Sequence, residues 1–156
     1  MKTETDVKRI LVQNLKFDIQ KIKKLDVFVK NLLIFNKKRN LIAKSTEKMV
    51  WDRHILDSAQ LIKFIDEKNC NGIADLGSGG GFPGIVLAIY YQDYNFHVKL
   101  YEKSPVKRGF LKKVIKELGL NAEVLGNVKE EELSSEIIIC RAFKKLDQVI
   151  QVSREI

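Results

Sequence analysis

The chain has 156 residues and a mass of 18.0 kDa, the size of one domain with an appendage. Its hydrophobic content of 45% is ordinary for a globular core, and no apolar run reaches the ~18 residues of a membrane-spanning helix. A net charge of +8, from 28 Lys plus Arg against 20 Asp plus Glu, favours a polyanionic partner such as nucleic acid, or else marks solvated basic helix faces.

The first residues, Met1-Lys2-Thr3-Glu4-Thr5-Asp6, lack the apolar stretch of a secretory signal, so a cytoplasmic location is expected. From Phe17 to Phe35 the residues Ile19, Ile22, Leu25, Val29, Leu32 and Leu33 recur at helical spacing, with Lys21, Lys23, Lys24 and Lys30 on the other face. A basic connector follows, Asn36-Lys37-Lys38-Arg39-Asn40. The next helix is expected to start at Thr46 as N-cap, with Glu47 in its first turn, and to run to about Asp66. Its stripe is Trp51, Ile55, Ala59, Ile62 and Phe64 or Ile65. Asn69 to Gly72 reads as a turn.

Strands and helices then alternate. Ile73–Leu76, His97–Tyr101, Ala122–Leu125 and the apolar run Ile137-Ile138-Ile139-Cys140 read as four strands. Pro83 to Tyr91 and the segment opened by Ser104-Pro105 and closed by Gly119 read as helices, the second carrying Val106, Phe110, Val114 and Leu118. Lys145 to Arg154 reads as a last helix. This alternation predicts a parallel sheet with right-handed crossovers, in the order 3-2-1-4 of half a doubly wound fold. Residues 1–67 are expected to form a helical extension and residues 68–156 the α/β core. Strand 4 would be an edge, and an Ile-rich edge is expected to be covered by further strands or a partner chain. Cys70 and Cys140 lie far apart without metal-ligand spacing; both read as reduced structural residues, and no metal site is expected.

The chemistry concentrates between strand 1 and the helix after it, in Asp75-Leu76-Gly77-Ser78-Gly79-Gly80-Gly81-Phe82-Pro83-Gly84. A glycine-rich turn between a strand and a helix lets backbone approach a ligand closely. Glu102 ends the second strand 21 residues after Gly81 (102 − 81), close to the ~20 expected for a carboxylate that holds a ribose. The pattern Gly79-x-Gly81-x-x-Gly84 also fits a dinucleotide such as NAD. The acid two positions before the first glycine, and the helical stretch before the first strand, favour S-adenosylmethionine, which has cationic groups and no pyrophosphate.

With these residues in hand, the chain resembles the bacterial small-subunit ribosomal RNA guanine-N7 methyltransferases, also called glucose-inhibited division protein B. The likeness runs from about residue 25 to the end. It rests on Phe35-Asn36-Lys37-Lys38-Arg39-Asn40-Leu41, on Arg53-His54-Ile55-Leu56-Asp57-Ser58, on the glycine segment with its Phe82-Pro83-Gly84 ending, on Lys107-Arg108-x-Phe110-Leu111, and on Arg141-Ala142-Phe143. Cys140 stands where the family usually has Ser, and Asn127 where it usually has Arg. The family also continues past the point matching Ile156 with a further strand bearing a Lys-Gly turn and a C-terminal strand pair, so the resemblance implies a C-terminally shortened member.

The resemblance implies a Rossmann-like class I methyltransferase that uses S-adenosylmethionine on 16S rRNA or the small ribosomal subunit, as a monomer or associating through the strand-4 edge. It implies cofactor contacts from Asp75, Gly77, Ser78, Gly79 and Phe82, ribose binding by Glu102, an adenine border at Val128 and Lys129, and cofactor or substrate contact by Arg141 in a positioning role. Guanine N7 has a free lone pair, so no general base is expected. Lys37, Lys38, Arg39, Lys107 and Arg108 are candidates for RNA phosphates, or else solvated charges. His54 and Asp57 are spaced to meet on one helix face and to brace the N-terminal helices against the glycine loop. Two further readings stay open: a NAD-binding oxidoreductase, and a remnant that keeps the cofactor fold without turnover.

Overall fold

In the computed structural model, residues 1–128, 135–141 and 148–151 are described. Two helices open the chain, α1 (Glu4–Leu15) and α2 (Ile19–Asn36). Helix α1 has no counterpart in the apolar periodicity read above, yet its start is encoded: Thr3 and Asp6 form a reciprocal capping box. Asp18 caps α2 by accepting from the Lys21 amide at 2.8 Å. Lys21 is not on a solvent face as expected. It is buried, its ammonium between Asp18 and Asp93 at 3.1 and 2.9 Å and over the ring of Tyr90, because α2 packs against the end of the first core helix.

The segment expected to be one helix from Thr46 is four short pieces: a 3-10 turn (Lys44–Met49), a π-helical turn (Trp51–Leu56), α3 (Asp57–Ala59) and a second 3-10 turn (Gln60–Phe64). Thr46 is not its N-cap. The turn starts one residue after Ala43, whose carbonyl takes both the Thr46 amide, at 2.9 Å, and the Thr46 hydroxyl, at 2.8 Å. Trp51, Ile55, Ala59 and Ile65 are buried as the stripe requires, whereas Phe64 is 81% exposed.

The core has strands β1 (Gly72–Leu76), β2 (His97–Tyr101), β3 (Ala122–Leu125) and β4 (Ile137–Cys140), all parallel, in the order β3-β2-β1-β4. Helix α4 (Gly84–Tyr90) follows β1, and α5 (Pro105–Leu118) follows β2, capped by Ser104 and stopped by Gly119 in the left-handed region. Within α5, Phe110, Leu111, Val114 and Leu118 are buried. Val106, in the first turn, is 44% exposed. Of the expected last helix, residues 148–151 are helical; the remainder, with Ala142 and Phe143, lies outside the described residues.

Strand alternation divides the sheet. Ile73, Val98 and Leu100 join the large core made with the helices, while Ala74, Leu76 and Tyr101 face the other way and pack with Val128. The N-terminal helices share the large core: Val7, Leu11, Leu25, Phe28 and Leu32 are fully buried in it. Asn36, at the end of α2, is 1% exposed; it accepts from the Leu41 and Ile42 amides and donates to the Ile42 carbonyl and the Glu47 carboxylate. These four bonds fold the basic connector back, and the Leu41 carbonyl it delivers lies so near Gly80 that a Cβ there would sit 3.2 Å away.

Candidate functional site

The C-terminal ends of β1, β2 and β4 converge on the glycine segment, the place where an open α/β sheet receives ligands. Residues 77–83 leave β1 as a tight loop, with Gly77, Gly79 and Gly81 at positive φ (74°, 57° and 99°). The amides of Gly77 and Ser78 both donate to the Tyr101 carbonyl, and those of Gly81 and Phe82 to the Ser78 carbonyl. The Ser78 hydroxyl donates to the Asp75 carbonyl at 3.0 Å. Ser78 is thus a brace of the loop, 1% exposed.

Asp75 is wholly buried beneath this loop. Its Oδ2 accepts from the Gly84 amide at 3.0 Å, at the start of α4, and its Oδ1 has no hydrogen-bond partner. Burial pushes its pKa up to about 7, opposed by the Gly84 and Ser78 hydrogen bonds and by the Arg141 charge. Gly84 permits this approach. A Cβ there would meet Leu100 and lie 2.6 Å from the Asp75 carboxylate. The amide at the start of α4 is thus satisfied by the chain's own acid. A buried carboxylate behind the loop favours a ligand carrying positive charge.

Glu102, 7% exposed, closes the other side. One carboxylate oxygen accepts from the Gly79 amide at 2.9 Å and the other from the Ser104 amide at 2.8 Å. The side chain fixes the tip of the glycine loop to the start of α5. With one donor on each oxygen, it keeps acceptor capacity for hydroxyl groups. Val128 is buried against Leu76 and Tyr101 beside the same strand ends. Lys129 lies outside the described residues.

Phe82 connects the loop to the N-terminal helices. Its ring contacts Phe28 at 5.2 Å, stacks on His54 at 5.0 Å and lies under the Arg141 guanidinium at 5.3 Å. Arg141, first residue after β4, donates to the Arg53 carbonyl at 3.2 Å and to His54 Nδ1 at 2.8 Å. The expected pairing of His54 with Asp57 is not made. Nε2 of His54 meets the Thr46 hydroxyl at 2.8 Å, because the π-helical turn aims the ring at Phe82 and Arg141 rather than along its own helix. Periodicity could not have found the His54–Arg141 contact between residues 87 apart. Cys140 is exposed at the end of β4.

The basic candidates divide. Lys37, Lys38 and Arg39 are exposed on the connector, close in sequence to the Leu41 carbonyl that abuts the glycine loop. Lys107 is half-buried. Arg108 is half-buried too, and its guanidinium donates to the Glu102 and Lys103 carbonyls at 3.0 and 2.7 Å, holding the loop that carries Glu102.

The family model GidB, described as rRNA small subunit methyltransferase G, matches residues 21–156. The ribosomal RNA small subunit methyltransferase G of Pelagibacter ubique is 42% identical over 148 residues, 91% of this chain and 69% of that protein. Those of Rickettsia felis and Rickettsia bellii are 38% and 36% identical over 136 residues, with 86% of this chain and 69% of each relative covered. Among solved structures, a crystal structure of a mutant of MtNAS in complex with S-adenosylmethionine superposes with a TM-score of 0.52 at 16% identity. It covers 97% of this chain, which spans 62% of that one, and the likeness is one of fold.

Proposed function

The chain belongs to the rRNA small subunit methyltransferase G family, and from that premise we propose that it transfers a methyl group from S-adenosylmethionine to N7 of a guanine in 16S rRNA. The observation that carries the reading is the closed start of α4. Asp75 holds the Gly84 amide from beneath the loop, and Glu102 holds the Gly79 amide at its tip with acceptor capacity left for ribose hydroxyls, which supports this reading. That combination suits a nucleoside with cationic groups and opposes NAD.

The residues fit the methyl donor. Asp75 has a buried oxygen without a hydrogen-bond partner, which favours the donor's ammonium and sulfonium through its field although the side chain does not reach the surface. Gly77 and Gly79 let backbone pass close to the amino-acid part, and Phe82 walls it off from the N-terminal helices. Glu102 accepts from the ribose hydroxyls, Val128 and Lys129 border the adenine, and Arg141 orients cofactor or target at the mouth of the crevice. When bound, S-adenosylmethionine would supply an electrophilic methyl group on a sulfonium, with a neutral thioether as the leaving group and the guanine N7 lone pair as the acceptor.

N7 carries no proton, so the protein's work is positioning and exclusion of water rather than base catalysis. Lys37, Lys38, Arg39 and Lys107 hold RNA phosphates around the crevice, and Arg108 contributes with the donors left beyond its two carbonyl bonds. Residues 1–67 act as the helical extension of a core formed by residues 68–156, and the enzyme works as a monomer in the cytoplasm. The test is transfer of labelled methyl from S-adenosylmethionine to naked 16S rRNA and to 30S particles, with the product mapped by strand cleavage at N7-methylguanine. Label at N7 of one guanine supports the reading; label on another base atom, or binding of NAD with none of the methyl donor, rejects it.

A further inference from the structure

The Arg141 guanidinium can only donate hydrogen bonds. Its 2.8 Å contact with His54 Nδ1 therefore requires a lone pair on that nitrogen, and the imidazole must be neutral with its proton on Nε2. The Nε2 proton then points at the Thr46 hydroxyl at 2.8 Å, and the hydroxyl proton has its own acceptor, the Ala43 carbonyl at 2.8 Å. All donors run one way, from Arg141 to His54 to Thr46 to the backbone of the connector.

We propose that His54 is a positioning residue that holds the Arg141 guanidinium against Phe82 at the crevice mouth, and that Thr46 sets the tautomer His54 needs to do so.

Three observations support this. His54 and the Arg141 guanidinium both lie on the Phe82 ring, at 5.0 and 5.3 Å, so ring and cation are fixed by one aromatic surface as well as by their mutual bond. The Arg53 carbonyl takes a second guanidinium donor at 3.2 Å, which sets the plane of the group. Burial, then the Arg141 and Arg53 charges, lower the His54 pKa to about 4, so the ring stays an acceptor at neutral pH. The charged groups acting on the pair are Arg141 and Arg53 on His54, and Asp57 and Asp75 on Arg141. The pair also joins the N-terminal helical segment to the end of β4, so the placement of Arg141 depends on both parts of the chain.

The inference rests on the proposed reading in one respect: that Arg141 contacts cofactor or target. The experiment separates the two. Nitrogen-15 spectra of the full chain without ligand, with His97→Gln to assign the second histidine, report the tautomer directly. The expected result is a neutral His54 protonated at Nε2 and unchanged down to about pH 5, titrating nearer the ordinary value of ~6.5 in Arg141→Gln. Arg141 side-chain resonances are expected to be sharp in the native chain and broadened in His54→Leu. In methyl transfer, His54→Leu loses on the order of 100-fold in kcat/KM, the scale of a misplaced reacting group. His54→Asn, which keeps an acceptor near the Nδ1 position, recovers most of that loss. His54→Leu combined with Arg141→Gln is no worse than Arg141→Gln alone. A charged or Nδ1-protonated His54, or additive losses in the double variant with melting temperatures unchanged, overturns the proposal. If the native chain binds no methyl donor while the spectra are as expected, the functional reading falls and the His54–Arg141 assignment stands on the spectra.

Discussion

The Asp75 carboxylate and the Gly84 amide meet 3.0 Å apart at the start of α4, and the fit is so close that any side chain at Gly84 would strike the carboxylate. The acid therefore serves first as an internal cap. The same contact sets behind the loop a buried carboxylate whose ionised form favours a ligand carrying positive charge.

Asp75→Asn keeps an acceptor for the Gly84 amide and removes the titration. The folded pKa of about 7 lies above the ordinary 3.8, so the native state holds a proton that the unfolded chain releases. The resulting stability is fully present below pH 3.8 and is lost as pH rises through 7. The variant should flatten this fall, melting at least as high as the native chain at about pH 8, while binding the methyl donor roughly tenfold more weakly or worse. Melting curves across the range from about pH 4 to about pH 8, and calorimetry, check both. In the native chain, donor binding near pH 7 should release a proton, seen as a dependence of the binding heat on the buffer.

Glu102→Gln offers one carbonyl oxygen to two amides that now have an oxygen each. Its NH2 group must face either Gly79 or Ser104 as donor to donor. We expect a loss of about 1–3 kcal/mol in stability and roughly tenfold weaker binding of S-adenosylhomocysteine. Unchanged affinity in a folded variant would remove Glu102 from the ribose site.

Asn36→Ala deletes four hydrogen bonds at a side chain that is 1% exposed and leaves the Leu41 and Ile42 amides without their acceptor. A loss of about 2–4 kcal/mol is expected, measured by the shift of the urea midpoint. The connector would also lose its support for the glycine loop, so donor affinity should fall with stability.

Replacing Lys37, Lys38 and Arg39 together by Gln should leave the melting temperature within a degree or two, because all three are exposed. RNA affinity should fall, and the slope of log K against log salt should shrink by about 0.7–0.9 for each phosphate that the variant no longer neutralises. An unchanged slope would mark them as solvated charges.

Near neighbours along the chain write much of this fold. The four strands were legible because short apolar runs bounded by turn residues have few other uses, and α5 because Ser104, Pro105 and Gly119 mark its ends locally. The glycine segment and the 21-residue interval to Glu102 pointed to one end of the sheet, where the Gly79 amide and the Glu102 carboxylate meet, since chain geometry links the first loop to the end of the second strand. Folding in three dimensions was needed to settle where charged and polar side chains find partners. Lys21 lies on the polar side of its own helix yet is buried, because Asp93 arrives from a segment about seventy residues on. The motif makes Asp75 a candidate cofactor residue; the fold sets it beneath the loop, closing α4, because strand alternation turns it toward the helices. Thr46 and His54 suggest a helix cap and a same-face pair with Asp57; they form instead a directed chain to Arg141, 87 residues beyond His54. Hydrophobic period and capping are short-range properties carried along the chain, whereas the partner of a buried donor is set by which strands and loops the fold brings together.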